Sequence, residues 1–252
     1  MELTGVILAA GRGSRLGDAS AELPKPLMPV AGRTCIDFAI DALLKVVSRV
    51  VVVVGYRAEL VEAHLAKAWG DAPVTAVRNP ELEAGNLTSL RAARVAIGSG
   101  PFIVTNADHL FPVDMYSRWF TARSGVSIAC EKSRPILEDE MKVVEQAGRL
   151  VAISKTLPRY DGAYIGTTAV AADVTQDYWQ AFDEVAATAD LRSASVEMVL
   201  DRLAAAQTGV RSNACSAATP QVRWIEGLNW YEVDTPEDLA VARESLAQSL
   251  TR

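Results

Sequence analysis

The chain has 252 residues, of which 50% are hydrophobic, so it can bury a full core and lies near the upper size for one domain. Its 25 basic and 31 acidic residues give a net charge of −6, which excludes a general attraction to nucleic acid or to an anionic membrane surface. Cys35, Cys130 and Cys215 lack the spacing of zinc ligands or of a disulfide framework. We therefore expect a cytoplasmic protein that is neither exported nor inserted into a membrane.

The first apolar run, Val6 to Ala10, predicts a buried strand that leads directly into a turn rich in glycine and arginine. Glycine lets a backbone approach a ligand closely, and arginine offers a planar cation that matches phosphate oxygens. Lys25 follows between Pro24 and Pro26, whose rings restrict the backbone around it. Together these features predict phosphoryl or nucleotidyl chemistry. The turn contains Gly11, Arg12, Gly13, Arg15 and Gly17.

Two commoner phosphate loops fit this turn poorly. A dinucleotide-binding turn needs a third glycine where Leu16 stands, and an acidic residue after a second strand that here runs into Gly55 and Tyr56. A P-loop needs Gly-Lys followed by Ser or Thr, and the turn contains no Gly-Lys. A plain surface turn would account for Gly11 and Gly13 but not for the Pro-Lys-Pro segment.

Short apolar runs alternate with amphipathic segments through the first half of the chain. This order predicts a largely parallel sheet covered by helices. The predicted strands are Thr4–Ala9, Arg49–Val54, Val74–Arg78 and Phe102–Asn106, and the predicted helices are Cys35–Val46, Ala58–Ala68 and Leu87–Ala96.

The second half changes to strand-like segments with turn-rich connections, and Gly148 marks a hairpin. The last helix is predicted to begin with Thr235 as its N-cap and Pro236 in the first helical position. Thr208–Thr219, rich in small and polar residues, predicts a surface loop. The predicted strands are Val126–Glu131, Met141–Glu145, Leu150–Ser154, Tyr164–Ala171, Val222–Ile225 and Trp230–Val233, with helices over Val174–Ala187 and Ser193–Ala206.

The glycine turn, GRGSRLG, and the later PKPLMPVAG resemble the signature of sugar-phosphate nucleotidyltransferases, which join a nucleoside triphosphate to a phosphorylated acceptor and release pyrophosphate. The resemblance implies an α/β, Rossmann-like nucleotidyltransferase fold with a mixed, mostly parallel central sheet flanked by helices. It implies a single domain over residues 1–252, with a nucleotide-binding half, 1–110, and an acceptor-binding half, 111–252.

The same resemblance implies roles for the residues of the first turn. Arg15 would face the leaving pyrophosphate, and Lys25 would contact the phosphates at the reacting centre, so both are catalytic candidates. The backbone of the turn would hold the nucleotide, through Leu8, Ala9, Ala10, Gly11, Arg12 and Gly13.

Two aspartates follow predicted strands. Asp108 comes after Phe102–Asn106, at the carboxyl end of a strand, where ligands of open α/β sheets bind. Asp234 stands directly before the last helix, and sequence spacing leaves open whether the two meet. The resemblance implies that they bind Mg²⁺ together, and phosphoryl-type transfer commonly uses such an ion. The alternatives are a turn carboxylate for Asp108 and a helix N-terminal carboxylate for Asp234.

His109 could serve as a base because imidazole titrates near neutrality. A phosphate monoester is already anionic at neutral pH, with a second pKa of about 6, so the reaction needs no general base. We expect His109 to orient its neighbours or to touch substrate. His64, within an amphipathic helix pattern, is expected to be an ordinary surface or boundary residue.

The segment from Asn79 to Leu90 indicates which base is bound. Family members that use purine or thymidine nucleotides tend to carry Gly-x-Ala-x-Ala there, whereas this chain resembles the cytidylyltransferase branch, particularly the phosphocholine and inositol-1-phosphate enzymes. An asparagine offers both a donor and an acceptor to a small base. Alternatively, Asn86 is simply a helix N-cap. The implied nucleotide-binding residues are Asn79, Gly85, Asn86 and Ser89.

For the acceptor, the chain resembles the inositol-phosphate branch more than the choline branch. A choline pocket would need aromatic faces around its ammonium, for which Trp179, Trp224 and Trp230 are candidates, although large core residues are the alternative. Lys155 is implied to hold the acceptor phosphate, and Arg134 is a weaker candidate. The implied acceptor-binding residues are Asp108, His109, Lys142, Lys155 and Gly166.

These inferences predict a Mg²⁺-dependent nucleotidyltransferase that couples CTP to an inositol-1-phosphate-like polyol or sugar phosphate. Another triphosphate (GTP, dTTP or UTP) with a sugar or cyclitol 1-phosphate, and a phosphocholine cytidylyltransferase, remain open. So does a non-catalytic nucleotide-binding module, although the combination of Arg15, Lys25, Asp108 and Asp234 argues against it. A glycosyltransferase usually carries Asp-x-Asp, and Asn106 holds the first of those positions here. The sequence leaves the oligomeric state open, a homodimer included.

Overall fold

The computed structural model describes residues 2–17, 22–119, 124–205 and 217–250. Strands and helices alternate through the first part of the chain, and strands predominate in the middle. The strands are β1 (Thr4–Ala9), β2 (Pro29–Val30), β3 (Arg33–Thr34), β4 (Arg49–Val54), β5 (Val74–Arg78), β6 (Phe102–Asn106), β7 (His109–Leu110), β8 (Val126–Glu131), β9 (Lys142–Gln146), β10 (Arg149–Ser154), β11 (Gly162–Val170), β12 (Gln221–Trp224) and β13 (Tyr231–Glu232). The helices are α1 (Cys35–Leu44), α2 (Ala58–Trp69), α3 (Asn86–Ile97), α4 (Met115–Trp119), α5 (Thr175–Thr188), α6 (Val196–Ala205) and α7 (Pro236–Leu250).

Nine of the described strands form one sheet, in the order β5-β4-β1-β6-β11-β8-β12-β10-β9. The first four in this order pair in parallel. From β6 onward the sheet is mixed, because β11 runs antiparallel to both β6 and β8, and β12 is parallel to β8 but antiparallel to β10. The predicted mixed α/β sheet is confirmed, with continuous parallel pairing on the side built from residues 4–106.

Three of the four parallel strands, β1, β4 and β6, are buried on both faces, as expected for strands covered by helices, whereas the edge strand β5 is partly exposed. Val51 and Val53 of β4 pack into the same cluster as α3, whereas Val50, Val52 and Val54 pack with α1 and α2. This alternation follows the two-residue period of a strand. Because both faces are packed, the carboxyl ends of these strands form a fixed edge.

The hairpin predicted at Gly148 joins β9 to β10. Ala147 has φ 52° and Gly148 has φ 77°, and Gln146 pairs with Arg149 across the turn. Positive φ angles at both central residues are typical of the two-residue turns that match the twist of antiparallel strands. The predicted hairpin is therefore confirmed.

The predicted start of the last helix is also confirmed. Pro236 is the first residue of α7, and the hydroxyl of Thr235 accepts a hydrogen bond from the backbone of Asp238 at 3.2 Å. The Asp238 carboxylate reaches back to the backbone N–H groups of Thr235 and Asp234, at 2.8 and 3.1 Å. This reciprocal cap fixes the backbone of Asp234 immediately before the helix.

Some elements escaped the sequence reasoning. The two-residue strands β2, β3 and β7 and the one-turn helix α4 are too short to produce a periodic pattern. Residues 208–216 of the predicted surface loop, Thr208–Thr219, lie outside the described residues, and Ala218 and Thr219 at its end are buried. In the described ranges, no helix is both long and apolar enough to cross a membrane.

Candidate active site

The glycine turn after β1 packs directly against the Pro-Lys-Pro segment. Gly13 adopts a left-handed φ of 66°, and a Cβ atom at this position would lie 2.8 Å from the Cβ of Lys25. Only glycine combines this backbone conformation with so close an approach. Lys25 itself opens a 3₁₀ turn after Pro24, and its side chain is 12% exposed. The turn and the lysine therefore form one rigid unit.

Lys25 lies between the two predicted metal ligands. Its Nζ donates to Oδ2 of Asp108 at 2.5 Å and to Oδ1 of Asp234. Burial lowers the pKa of Lys25, but the two carboxylates outweigh burial and raise it. Burial raises the pKa of Asp108, yet Lys25 and His109 together hold it well below its usual range. At neutral pH the lysine and Asp108 are thus both charged.

A short strand pairing explains how aspartates so distant in sequence come together. In the β7–β13 pair, His109 lies opposite Glu232, and Leu110 lies opposite Tyr231. The backbone N–H of Val233 then donates to the carbonyl of Asp108 at 3.0 Å. Because Asp234 follows immediately, its carboxylate reaches the same lysine as Asp108.

The His109 ring contacts two carboxylates through its nitrogen atoms and packs against two aromatic rings. Its Nδ1 lies 2.8 Å from Oδ1 of Asp108 and its Nε2 lies 3.9 Å from Oε1 of Glu232. The ring stacks on Phe111 and Trp230, with centroid distances of 5.7 and 5.3 Å. Burial lowers the pKa of His109, but Glu232 and Asp108 outweigh it and raise the pKa. These contacts make His109 a positioning group for Asp108.

Glu232 is a site residue that the sequence reasoning missed. Among the described residues, Asp108, His109 and Glu232 form a group whose candidate ligand atoms all lie within 4.8 Å of one another. Burial raises the pKa of Glu232. The available signal was its position two residues before Asp234, because side chains two apart in an extended segment lie on the same face.

A cavity of about 1250 Å³ opens beside these carboxylates. Gly166 of β11 lines it with a φ of 70°, and a Cβ there would lie 2.8 Å from both Asn106 Nδ2 and His109 Cε1. Lys155 lines the same cavity, as predicted for an acceptor-binding residue. Gly166 keeps this wall open because any side chain would collide with the site.

Two smaller cavities border the glycine turn. One, of about 250 Å³, adjoins Lys25 and both aspartates, and the other, of about 220 Å³, extends towards α3. Their position at the carboxyl ends of parallel strands is the usual ligand position in such sheets. The predicted nucleotide residues that line one or both are Leu8, Ala9, Ala10, Gly11, Gly13, Asn79, Asn86 and Ser89.

Arg15 lies at the mouth of the site. Its guanidinium contacts Asp234 at 2.6 Å and Asp139 at 3.0 Å. The Asp139 segment is held in turn by Arg134, which pairs with Glu131 at 3.0 Å and with Glu140 at 2.5 Å. Arg15 therefore connects the first turn to the segment that follows β8.

A family model for the MobA-like NTP transferase domain matches residues 5–138, more than half of the chain. The chain belongs to this family. The nucleotidyltransferase family predicted from the glycine turn and the Pro-Lys-Pro segment is thereby confirmed.

This MobA-like transferase is 32% identical, over 94% of its length, to a bifunctional IPC transferase and DIPP synthase of Rubrobacter xylanophilus. The match covers 50% of that relative, so the chain spans about half the length of its curated relative. In structure it resembles the inositol-1-phosphate CTP transferase from T. maritima, with a TM-score of 0.77 at 23% identity, covering 97% and 95% of the two chains. The CTP:phosphocholine cytidylyltransferase from Streptococcus pneumoniae gives 0.75 at 18% identity, covering 98% and 100%.

Lys142, predicted to bind the acceptor, has a different position in this MobA-like transferase. Its Nζ donates to the backbone carbonyls of Leu137, Glu138 and Lys155, at 3.2, 2.7 and 2.9 Å. The side chain is buried and does not line the large cavity. The prediction is corrected: the ammonium of Lys142 is used to fix the segment that carries Asp139.

The start of α3 corrects two further predictions. Gly85, not Asn86, is the N-cap, and a Cβ on Gly85 would lie 2.0 Å from the carbonyl oxygen of Ala194. Gly85 thus serves close packing against the segment before α6 and lines none of the three cavities. Asn86 Oδ1 accepts from the backbone N–H of Val196 at 2.9 Å, while its side chain borders two cavities.

Arg12 also lies away from the predicted phosphate position. Its guanidinium lies over the ring of Tyr56, 5.4 Å from the centroid, and it lines none of the three cavities.

Asn79 is buried and donates to the hydroxyls of Thr88 and Ser89, both at 3.1 Å. Asn79 therefore braces the α3 wall of the cavity that it borders.

Proposed function

We propose that this chain is a Mg²⁺-dependent nucleotidyltransferase that couples CTP to a hydroxyl-rich, inositol-1-phosphate-like acceptor and releases pyrophosphate. The observation that carries the proposal is Lys25, held between Asp108 and Asp234 beside the glycine turn. A fixed cation next to backbone N–H groups suits a triphosphate. The names of two similar proteins support the choice of CTP: one is an IPC transferase and the other an inositol-1-phosphate CTP transferase.

In the proposed reaction, a phosphate oxygen of the acceptor attacks the α-phosphorus of CTP in line with the departing pyrophosphate. The acceptor phosphate is anionic at neutral pH, so the site needs no general base. Lys25 and Arg15 stabilise the negative charge that develops on the phosphates. Residues 1–110 hold the nucleotide and residues 111–252 hold the acceptor, and fixing the two in line supplies much of the rate enhancement.

The donor set at Asp108 and Asp234 fits Mg²⁺. Their carboxylates already share one cation, the Lys25 ammonium, and carboxylate oxygens are the ligands that Mg²⁺ prefers. Asp108 and Asp234 would hold the ion, which supplies neutralisation of phosphate charge when bound. His109 keeps Asp108 oriented through the bond at its Nδ1.

The surroundings of the tryptophans favour a polyol over a choline-like acceptor. Trp230 already stacks with His109 and lies under Arg134, whose guanidinium is 5.4 Å from its ring. The Arg94 guanidinium lies 4.7 Å from the ring centroid of Trp179, and the Lys132 ammonium lies 4.8 Å from that of Trp224. Neither tryptophan lines the large cavity. A quaternary ammonium would need free aromatic faces. Trp230 lines the large cavity, but its ring already carries the Arg134 cation, and the other two rings lie outside that cavity.

Pyrophosphate release tests the proposal. CTP, GTP, UTP and dTTP are each combined with inositol 1-phosphate, glucose 1-phosphate, phosphocholine or no acceptor, with Mg²⁺ present. We expect CTP with inositol 1-phosphate to react fastest, and EDTA to abolish the reaction until Mg²⁺ is restored. If no combination exceeds the acceptor-free background, the proposed function is wrong.

A further inference from the structure

Glu197 is an unusual carboxylate in the wall of the large cavity. It is the second residue of α6, it is 9% exposed, and it lines the cavity. Within the described parts of the chain, no donor forms a hydrogen bond or an ion pair with it. Its carboxylate oxygens are not among the fully buried polar atoms without a partner, so they are accessible from the cavity and free to accept hydrogen bonds from a ligand there.

Other buried carboxylates of this chain are well supplied with donors. Glu131, 7% exposed, accepts from Ser133, Arg134 and Trp230, at 2.9, 3.0 and 2.9 Å. The buried hydroxyls of Tyr178 and Tyr164 lie within electrostatic range of Glu197, but neither bonds to it: the Tyr164 hydroxyl pairs with Thr168, and that of Tyr178 has no partner among the described residues. The contrast with Glu131 indicates that the partner of Glu197 comes from outside the chain.

The surrounding wall favours a ligand rich in hydroxyl groups. Asp201 lies one helical turn after Glu197, lines the same cavity, and accepts one hydrogen bond from the described residues, that of the Ile153 backbone at 3.3 Å. Ser193 and Ser195 line the wall beside them, and Lys155 brings a positive charge to the same cavity. Ionised carboxylates accept hydrogen bonds and donate none, and neighbouring hydroxyls of a polyol can donate to both oxygens of one carboxylate.

We infer that Glu197 is a specificity-determining residue of the acceptor subsite, where its carboxylate accepts hydrogen bonds from the hydroxyl groups of a polyol phosphate. The inference rests on the proposed function and goes beyond it by naming the side chain that distinguishes a polyol from other phosphorylated acceptors. An ammonium group would also pair with a carboxylate, and the engaged tryptophan rings make the polyol the better match.

Glu197→Gln tests the inference, because glutamine keeps the size of the side chain but loses its charge. Glu59→Gln is the matched control, since Glu59 is the exposed second residue of α2 and lies outside all three cavities. We expect Glu197→Gln to raise the KM for inositol 1-phosphate roughly tenfold or more, since charge-assisted hydrogen bonds are the stronger class. The KM for CTP and the Tm should stay at their wild-type values. Glu59→Gln should change neither KM nor the Tm.

Several outcomes would overturn the inference, and each has a distinct signature. An unchanged KM for inositol 1-phosphate removes Glu197 from the subsite. A larger loss for phosphocholine than for inositol 1-phosphate assigns the carboxylate to a cation, and a lowered Tm with equal losses for both substrates assigns it to the fold. If wild-type protein releases no pyrophosphate in any combination, the proposed function itself fails, independently of Glu197.

Discussion

The molecule contains two aspartate–histidine pairs with similar geometry and different surroundings. Asp108 lies 2.8 Å from His109, and Asp37 lies 2.8 Å from His64. Asp37 also accepts from the backbone and hydroxyl of Thr34, at 2.9 and 2.8 Å, and from the indole of Trp69 at 2.8 Å. All donors to Asp37 come from the chain's own α1 and α2 region, whereas Asp108 borders the open cavities.

The comparison separates a carboxylate that the fold itself satisfies from one that borders the open cavities. Asp37 is the third residue of α1 and closes a capping box with Thr34, so its negative charge is satisfied by the fold itself. Asp108 receives its main compensation from Lys25, a cation that a phosphate could also engage. The same pair of residue types is thus enclosed by the fold in one place and lies at the wall of open cavities in the other, where we propose that it acts on a ligand.

The largest expected effect comes from Lys25→Ala, which leaves Asp108 and Asp234 without their shared cation. Loss of a preorganised charge at the reacting centre should lower kcat by roughly 10²–10³-fold, while circular dichroism stays unchanged. Lys67→Ala, at an exposed position of α2, is the control and should keep full activity. A Lys25 variant with a wild-type pyrophosphate release rate would break the distinction between the two pairs.

Gly13→Ala should give the next largest loss, because the new methyl group would displace Lys25 from the two aspartates. Gly148→Ala is the control, since Gly148 also has a positive φ, 77°, and no atom of the described residues lies within 4 Å of an added Cβ. Both variants suffer backbone strain of about 1–2 kcal/mol, which urea unfolding should detect. Only Gly13→Ala should lower kcat/KM strongly, and equal activities would contradict the packing argument.

Asp37→Asn should weaken the fold without affecting catalysis. An amide presents hydrogens to donors that need an acceptor, and such a mismatch costs about 1–3 kcal/mol. Urea unfolding should show this loss at pH 7, while kcat per folded molecule stays at the wild-type value. Asp108→Asn should lower stability as well, because Lys25 and His109 hold the pKa of Asp108 low, but it should also lower kcat strongly. An unchanged kcat in Asp108→Asn would remove the contrast between the pairs.

The pH dependence of that loss has a definite sign. Burial raises the pKa of Asp37, but hydrogen bonds from His64, Trp69 and Thr34 outweigh burial and lower it. A carboxyl with a lowered pKa stabilises the fold above its unfolded pKa of about 3.9, and this contribution is lost as pH falls through the folded value. The stability gap between wild type and Asp37→Asn should therefore shrink as the pH falls below about 4.

Asp139→Asn should have the smallest effect. Its side chain and that of Arg15 are 61% and 56% exposed, and ion pairs at such surfaces contribute about 0–1 kcal/mol. We expect the Tm to stay within experimental error and the KM for CTP to change less than about threefold. A large change in either value would place Asp139 within the charge network of Asp108 rather than at its rim.

Long periodic elements and the first turn could be predicted from sequence, because each carries its signal within a few consecutive residues. β1, β4, β5 and β6 have the predicted bounds, and Thr235 caps its helix as predicted. Glu232 was missed because its role depends on a two-residue strand pairing that aligns it with His109. The predicted role of Lys142 was wrong because the sequence does not show whether a lysine ammonium faces a ligand or donates to backbone carbonyls, as it does here.

The order of strands in the sheet has a consequence for synthesis on the ribosome. The four neighbouring parallel strands, β1, β4, β5 and β6, have all been synthesised once residue 106 has emerged. In contrast, β8 can pair with β12 only after residues 221–224 have been synthesised. Of Lys25 and its two carboxylate partners, Asp234 is synthesised last, 209 residues after Lys25. At about 5–20 residues per second, the interval between residues 106 and 234 is roughly 6–25 s. During this time a nascent chain displays the glycine turn and Lys25 without the second carboxylate, so catalysis must await late translation.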